Sequence, residues 1–418
     1  MELMDRQVDH LILLVGGNPL PNAVAGRVLV KPGGAISLIY SQDTSAVAER
    51  LRNWLGGAYH YTHTDPVDES FANSIMAEVR RALDKQPDAA SVGLNYTGGT
   101  KAMAVHAYRG VERWAEEHQR AVSCSYLDAR THQMVFDAPP GKEYIGDTLK
   151  LRLQDLLDLH GWELQNKPHE HPILPKTAHA LAQVHTTHGD DQAITRYIAW
   201  KGRELDKARK EGKREWLKET KLKTIKLAWP DDPALDEVTQ TLKAELHQEH
   251  SPELDIGSAV QVTKLSAEGF LTWLDGSWLE HRVLDALGHL SNGLQPNHIQ
   301  SETPESFVSV ITRNPQFEFD VAAVFGYQLF AFSCTTDTSK PIVKQKLFEC
   351  VLRARQLGGD QACAALVCPY KDPDELQSEL RQQIDFHEQL KVFGASHLAD
   401  LEAHLSQWIE EQHTNRRG

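Results

Sequence analysis

The segment Asn95–Lys101, which reads NYTGGTK, constrains the fold of this chain more than any other short stretch. It follows the apolar run Ala90–Leu94 and precedes apolar residues of helical spacing that continue to Trp114. A short apolar run before a turn is typical of a strand, and apolar residues at three- and four-residue intervals are typical of a helix. The sequence therefore predicts a strand, a tight turn and a helix in direct succession.

The turn itself has the composition of an anion site. Gly98 and Gly99 lack a Cβ, so the backbone can turn tightly and approach a ligand closely. A helix that begins at Thr100 or Lys101 would direct free N–H groups and the positive end of its dipole towards the turn. This arrangement suits a phosphate, to which Lys101 and the hydroxyls of Thr97 and Thr100 would add charge and hydrogen bonds. An ordinary strand-to-helix turn with a polar cap is the alternative.

The same region contains two further predicted strands, His10–Val15 and Ala35–Ile39, and a loop follows each of them. Ligands of open α/β sheets bind at the carboxyl ends of the strands, where such loops diverge. Neither the dinucleotide fingerprint nor the P-loop motif occurs at these turns. The candidate ligand-binding residues are Gly16, Gly17, Asn18, Tyr40, Ser41, Asn95, Thr97, Gly98, Gly99, Thr100 and Lys101.

Composition limits the class of protein. A chain of 418 residues has room for two or three domains, and its net charge of −14 argues against nonspecific coating of nucleic acid. We expect a protein without membrane contact, because no run of about 18 apolar residues occurs. The acidic N-terminus does not predict a signal peptide, and five scattered cysteines favour a reduced, cytoplasmic protein.

The pattern of segments predicts three regions. Residues 1–160 alternate strand-like and helix-like segments, as in a doubly wound Rossmann-like domain, and Leu149–Leu153 is predicted as a strand. Residues 161–254 are predicted as a charged helical connector, in which positions 201–226 carry eleven Lys or Arg against five Asp or Glu. This basic run indicates either a solvated helix or a nucleic-acid contact. Residues 255–418 are predicted as a second α/β core.

Three acidic residues of the second core are candidates for chemistry. Glu318 and Asp320 alternate with phenylalanines, so both carboxylates should point to one face of a strand. Glu280 lies on a predicted helix with an apolar face. Carboxylates in such a set can hold a divalent cation such as Mg²⁺ or Mn²⁺, which activates water and stabilises charge on a phosphodiester. A hairpin with one solvated polar face is the alternative.

These motifs resemble a known family when they are taken together. The segments Gly276–Glu280, Phe317–Val321 and Phe330–Cys334, followed by a helix that ends in two glycines, look like the PD-(D/E)XK nuclease domain of CRISPR-associated effectors. The segment Asn95–Lys101 resembles a CARF (CRISPR-associated Rossmann fold) domain. The order of the two matches dimeric CARF nucleases that cyclic tetra-adenylate activates in type III CRISPR defence.

The resemblance implies a homodimer with cyclic tetra-adenylate across its twofold axis and cleavage of DNA, RNA or both. It implies that Asp320 is the metal-binding aspartate and Glu280 the helix glutamate. The family's motif lysine is missing, because Thr335 stands at its position after Ser333. The residues that would replace the motif groups are the carboxylates of Glu318 and Glu349 and the cations Lys344 and Lys346.

Two other functions stay open at this stage. The chain is either an active nuclease or a catalytically degenerate regulator that only binds the cyclic nucleotide, and Thr335 favours the second. A weaker alternative is a Rossmann-type enzyme that acts on a small nucleotide, including slow cleavage of its own activator near Lys101.

Overall fold

The computed structural model describes residues 3–86, 88–137, 139–146, 148–186, 191–290, 305–313, 316–383 and 388–417. Its strands form three sheets. They are β1 Val8–Leu14, β2 Val30–Ile39, β3 His60–Thr62, β4 Val92–Asn95, β5 Val122–Asp128, β6 Gln133–Asp137, β7 Pro140–Tyr144, β8 Lys226–Ala228, β9 Glu253–Asp255, β10 Glu305–Arg313, β11 Gln316–Phe325, β12 Gln328–Cys334, β13 Cys363–Val367 and β14 Leu390–Phe393.

The α-helices cover the sheets and build most of the region between them. They are α1 Leu20–Leu29, α2 Ser45–Leu55, α3 Ala72–Asp84, α4 Lys101–His118, α5 Leu153–His160, α6 Pro175–Thr186, α7 Asp191–Asp206, α8 Glu219–Leu222, α9 Asp236–Glu245, α10 Ile256–Thr263, α11 Ala267–Thr272, α12 Trp278–His289, α13 Lys340–Gly358, α14 Pro373–Gln383 and α15 Leu401–Arg417. Among the described residues, no helix has the length and apolarity needed to cross a membrane.

The N-terminal sheet has the order β3-β2-β1-β4-β5-β6-β7. Its first five strands are parallel, and β6 and β7 complete the edge as antiparallel strands. Helices on both faces bury the central strand β1, which explains its continuous apolar sequence. The second sheet, β10-β11-β12-β13-β14, begins antiparallel and becomes parallel from β12 onwards. The two expected α/β folds are therefore present.

The two sheets share a hydrophobic core. One cluster of buried residues includes Leu13 and Leu157 from the N-terminal part together with Leu329 and Leu347 from the second α/β part. A second cluster joins the region between them to the second sheet, since Leu181, Trp200 and Leu227 belong to the same cluster as Trp278 and Phe332. The segment predicted as a connector thus packs against the second α/β part over an apolar surface, and the small antiparallel sheet β8-β9 extends one residue past its predicted end.

Two local predictions at the end of the first region are wrong. Residues Leu149–Arg152 do not form a strand, and the helix α5 already begins at Leu153. Their alternation of leucine with charged residues reflects partial burial of a loop, in which the Leu151 N–H donates to the Gly326 carbonyl. The segment 138–141 contains two prolines and a glycine, which predict a break in the chain, but the edge strand β7, Pro140–Tyr144, begins within it. Proline is tolerated there because it is the first residue of an edge strand.

A buried histidine in β1 should make folding sensitive to acid. His10 is fully buried, its Nε2 lies 2.7 Å from Ser37 Oγ, and burial lowers its pKa to about 4. The unfolded chain binds a proton near pH 6.5, so stability is lost as the pH falls from about 6.5 to about 4, by roughly 3 kcal/mol. We expect His10→Asn to reduce the difference in unfolding free energy between pH 7 and pH 4.5, whereas exposed His60→Asn should not.

Candidate functional sites at the ends of the two sheets

Three predicted ligand loops lie at one edge of the N-terminal sheet. Strand β1 lies between β2 and β4, and the three strands run parallel. Their carboxyl ends therefore place the loops 16–18, 40–41 and 95–101 next to each other. Gly17, Thr100 and Lys101 are exposed there, whereas Asn95 and Ser41 are buried.

The glycines at this edge allow the loops after β1 and β4 to pack closely against each other. A Cβ on Gly98 would lie 2.2 Å from the Leu14 carbonyl oxygen, and one on Gly16 would lie 2.9 Å from the Gly99 nitrogen. Gly99 itself has a φ of +74°. The tight turn predicted from the sequence is thus present at Gly99, and close packing between the two loops is a further reason for the glycines.

The helix α4 begins at Lys101, as predicted. Thr100 is its N-cap, and its hydroxyl accepts a hydrogen bond from the Met103 N–H at 3.2 Å. This bond satisfies one of the free N–H groups of the first turn. The remaining positive end of the helix dipole and the exposed Lys101 side chain lie together at the sheet edge, where they favour an anion.

Several predicted ligand-binding residues form hydrogen bonds with other residues of the protein. The Thr97 hydroxyl donates to Asn95 Oδ1 at 2.8 Å and accepts the Leu127 N–H at 2.7 Å. Asn95 Nδ2 donates to Ser125 Oγ at 3.1 Å. The Ser41 N–H donates to Thr44 Oγ1, and the Tyr40 hydroxyl donates to the Thr64 carbonyl at 3.1 Å. These side chains shape the loops, and the exposed groups that would favour an anion are those at the start of α4.

A cluster of tyrosines beside the same loop was missed by sequence reasoning. Tyr96 packs against Tyr108 and Tyr126, with ring centroids 5.8 and 5.5 Å away, and its hydroxyl donates to Asp137 Oδ2 at 3.0 Å. Burial and the Asp137 carboxylate raise the pKa of Tyr96. The sequence did contain an indication of this cluster, because Tyr96 lies within the NYTGGTK segment and Tyr108 lies on the helix that follows.

The loop after β1 also contacts the second α/β part. Asn18 Oδ1 accepts the Leu20 N–H at the start of α1. Its Nδ2 faces Gly359, which follows the C-terminus of α13, and a Cβ on Gly359 would lie 2.4 Å from that nitrogen. One predicted ligand-site residue is therefore in direct contact with the helix that carries Lys346.

In the second sheet, Asp320 and the end of β12 form one hydrogen-bonded unit. Asp320 Oδ2 accepts the Cys334 N–H at 2.6 Å and the Ser333 hydroxyl at 3.1 Å. Lys346 Nζ lies 3.6 Å from the same oxygen and donates to the Cys334 carbonyl at 3.3 Å. The structure thus brings a lysine from α13 to the strand whose own motif position holds Thr335.

Lys344 does not take part in this arrangement. Its ammonium group pairs with Glu379 on α14, which also pairs with Lys340 at 2.6 Å. A residue at position 344 points away from position 346 on a helix, since neighbouring positions two apart face different directions. Of the two cations that the sequence nominated, Lys346 is the one beside Asp320.

The three predicted carboxylates are coupled electrostatically. Burial and the charges of Asp320 and Glu318 raise the pKa of Glu280, to which the Ser277 hydroxyl donates. Partial burial and Asp320 raise the pKa of Glu318. Although burial opposes it, the Asp320 carboxylate raises the pKa of Lys346. One lysine therefore faces three carboxyl groups, and burial together with their mutual repulsion disfavours ionisation of all three with that lysine as the sole cation.

These groups line two adjoining cavities. The smaller one has a volume of about 200 Å³. It is lined by Glu318, Phe319, Asp320, Phe332, Ser333, Lys346, Glu349 and Cys350. Glu349, predicted as a replacement carboxylate, therefore faces the Asp320 site, whereas Glu280 opens into the larger cavity of about 490 Å³.

The chemistry of these carboxylates suits a hard divalent cation, because carboxylate oxygens are the ligands that Mg²⁺ and Mn²⁺ prefer. Within the ranges that the structure describes, however, no three His, Cys, Asp or Glu side chains already converge as a ligand set. Metal binding by Asp320, Glu318 and Glu280 therefore stays a prediction.

A clamp from α7 holds the turn that precedes Glu280. Residues Trp273–Ser277 form a π-helical turn that is kinked at Gly276, whose φ of 172° is not helical. The Tyr197 hydroxyl donates to the Leu274 carbonyl at 2.8 Å, and Lys201 Nζ donates to the Asp275 carbonyl at 2.6 Å. Lys201 also pairs with the Asp275 carboxylate at 3.1 Å. Part of the predicted basic run thus has a structural role beside the candidate site.

Comparison with known proteins gives the same architecture. No protein-family model and no curated protein sequence matches the chain. Among solved structures, Can2 from Sulfobacillus thermosulfidooxidans in complex with cyclic tetra-adenylate aligns over 97% of this chain and 98% of its own, with a TM-score of 0.64 at 15% identity. This chain has the fold of Can2. The resemblance inferred from the motifs is thus confirmed at the level of the fold.

Two other structures share this fold. Protein VC1899 from Vibrio cholerae aligns over 96% of this chain and 98% of its own, with a TM-score of 0.67 and 16% identity. A type III CRISPR defence DNA nuclease activated by cyclic oligoadenylate aligns over 86% of this chain and 45% of its own, with a TM-score of 0.50 and 15% identity.

Proposed function

We propose that this chain is a nuclease of type III CRISPR defence that a cyclic oligoadenylate regulates. The observation that carries the proposal is the position of Lys346, 3.6 Å from Asp320 Oδ2, because it supplies the cation that Thr335 does not. The ligand would bind at the edge of the N-terminal sheet, and the reaction would take place at the Asp320 cluster.

Cyclic tetra-adenylate is the ligand we propose, since the Can2 structure of the same fold contains it. The start of α4 and the exposed Lys101 suit its phosphates. A symmetric ring fits a site built from two copies of one surface, so we propose a homodimer. The exposed Val105 on α4 supports this, because its apolar side chain lies one helical turn from the ligand edge.

At the second site, Lys346 would hold the attacked phosphate and offset the charge that develops on it. Asp320 would position this lysine, and the Cys334 N–H and Ser333 hydroxyl would hold Asp320 in place. A divalent cation, when bound by Asp320, Glu318 and Glu280, supplies charge neutralisation and water activation. We propose that the substrate is DNA, RNA or both.

A second candidate is a regulator that binds the cyclic nucleotide without cleaving nucleic acid. It is favoured by Thr335, whose hydroxyl accepts the Asp337 N–H at 3.1 Å and so serves only the local loop. The two candidates differ in one measurable property, which is metal-dependent cleavage.

The test is cleavage of supercoiled plasmid and of single-stranded RNA with Mn²⁺, with and without cyclic tetra-adenylate. We expect ligand-dependent cleavage that Asp320→Ala abolishes and that Asp374→Ala, a change at an exposed aspartate of α14, leaves intact. Intact substrates together with tight ligand binding would support the regulator instead.

The α7 clamp should matter for turnover. Lys201→Met removes the ammonium that holds the Asp275 carbonyl, so the turn before Glu280 loses a fixed position. We expect kcat to fall about tenfold with little change in KM, because misplacement of a group near the chemistry is costly. Lys201→Arg should recover part of the loss, and Lys176→Met on α6 should have no effect. Equal activity of the methionine variant and the wild type would show that the clamp does not position Glu280.

A further inference from the structure

The larger cavity contains Glu280 at its wall, but the chemistry proposed above places no part of the substrate in it. Its volume of about 490 Å³ is in the range of small-molecule sites. It is bounded by α7, by the turn before Glu280 and by the loop after β12. Its lining residues are His185, Tyr197, Ile198, Lys201, Thr272, Asp275, Gly276, Ser277, Glu280, Cys334, Thr335, Thr336 and Asp337.

The charges of this lining disfavour a phosphate. Asp275, Glu280 and Asp337 contribute carboxyl groups, and among the lining residues that the structure describes Lys201 is the one lysine or arginine. That lysine is already paired with the Asp275 carboxylate at 3.1 Å and bonded to the Asp275 carbonyl, and Arg209 pairs with the same carboxylate at 2.7 Å. A phosphate would therefore meet the Asp337 carboxylate and no unengaged cation among the described lining residues, whereas Lys346 lines the neighbouring cavity.

The same lining suits an uncharged, flat group with polar edges. Ile198 is 55% exposed although it lies on a helix that packs into the core, so its apolar surface is available within the cavity. The hydroxyls of Thr272, Ser277 and Thr336 are polar groups that can meet a polar edge. A nucleobase combines these properties, because it presents an apolar face and hydrogen-bonding edges without charge.

We propose that this cavity binds the nucleobase adjacent to the scissile phosphate, with the phosphate itself on the Lys346 side. The proposal rests on the nuclease function argued above and adds a subsite to it. A base in this cavity is withdrawn from its stack and its pairing partner, so the cleaved strand is unpaired at this position.

The test compares short single-stranded DNA of mixed sequence with the same strand carrying abasic tetrahydrofuran residues. Binding is measured by fluorescence anisotropy in Ca²⁺, and cleavage is measured in Mn²⁺ with cyclic tetra-adenylate. We expect the abasic strand to bind about tenfold more weakly than the normal strand. The Ile198→Ala variant should lose most of this difference, whereas Val262→Ala, a change at an exposed valine of α10, should keep it.

The outcomes separate the subsite from the nuclease. An abasic penalty that disappears in Ile198→Ala supports the subsite, even if the wild-type protein cleaves neither strand and the nuclease function fails. The same penalty in Ile198→Ala and wild type, or none in either, overturns the subsite whether or not the protein cleaves. In a cleaving protein, a single abasic residue next to the mapped cleavage position should lower kcat/KM by a similar factor in the wild type alone.

Discussion

Lys346→Met is expected to lower the rate of ligand-activated nucleic-acid cleavage about 100-fold, whereas Lys344→Met should change it by less than about threefold. Removal of one preorganised group that stabilises transition-state charge costs an enzyme about two to three orders of magnitude. Lys346 Nζ lies beside Asp320 and the Cys334 carbonyl, whereas Lys344 pairs with Glu379. The measurement is kcat under saturating cyclic tetra-adenylate and Mn²⁺.

The pair is a controlled comparison, because both changes remove one positive charge from the first turns of α13. Thermal unfolding of both variants would show whether either has lost its fold. Equal losses of cleavage rate in the two variants would mean that the total charge of α13 matters and the position of the lysine on it does not. Full activity of Lys346→Met would show that the missing motif lysine has no replacement at this position.

Gly98→Ala is expected to destabilise the protein by about 3 kcal/mol and to abolish binding of the cyclic nucleotide. The added Cβ would lie 2.2 Å from the Leu14 carbonyl oxygen and 2.7 Å from Asn22 Oδ1. Relief requires movement of a backbone, since Leu14 belongs to the central strand β1. The two loops that form the ligand edge would then separate.

Gly57→Ala, a change outside the ligand edge, is the matched control, because a Cβ on Gly57 meets no atom within 4 Å. Denaturant-induced unfolding gives the stability of both variants, and calorimetry gives their affinity for cyclic tetra-adenylate. Wild-type stability of Gly98→Ala would mean that the contact between the loops after β1 and β4 is easily relaxed.

The sequence alone indicated much of the architecture. The continuous apolar run of β1 and the strand–turn–helix at Asn95–Lys101 were sufficient for a parallel α/β sheet, because burial on both faces leaves a clear pattern. The alternation around Glu318 and Asp320 likewise indicated two carboxylates on one face of β11. Such local patterns can be recognised because the spacing of apolar and polar residues is visible in the sequence.

The tertiary structure determined which residues of different helices, strands and loops are in contact. The choice of Lys346 over Lys344 depends on which side of α13 faces β12, and the sequence contains both lysines two positions apart. The contact of Asn18 with Gly359 and the clamp of Lys201 on Asp275 join residues far apart in the chain. Such pairs are set by packing of whole elements against a shared core, so no local pattern reports them.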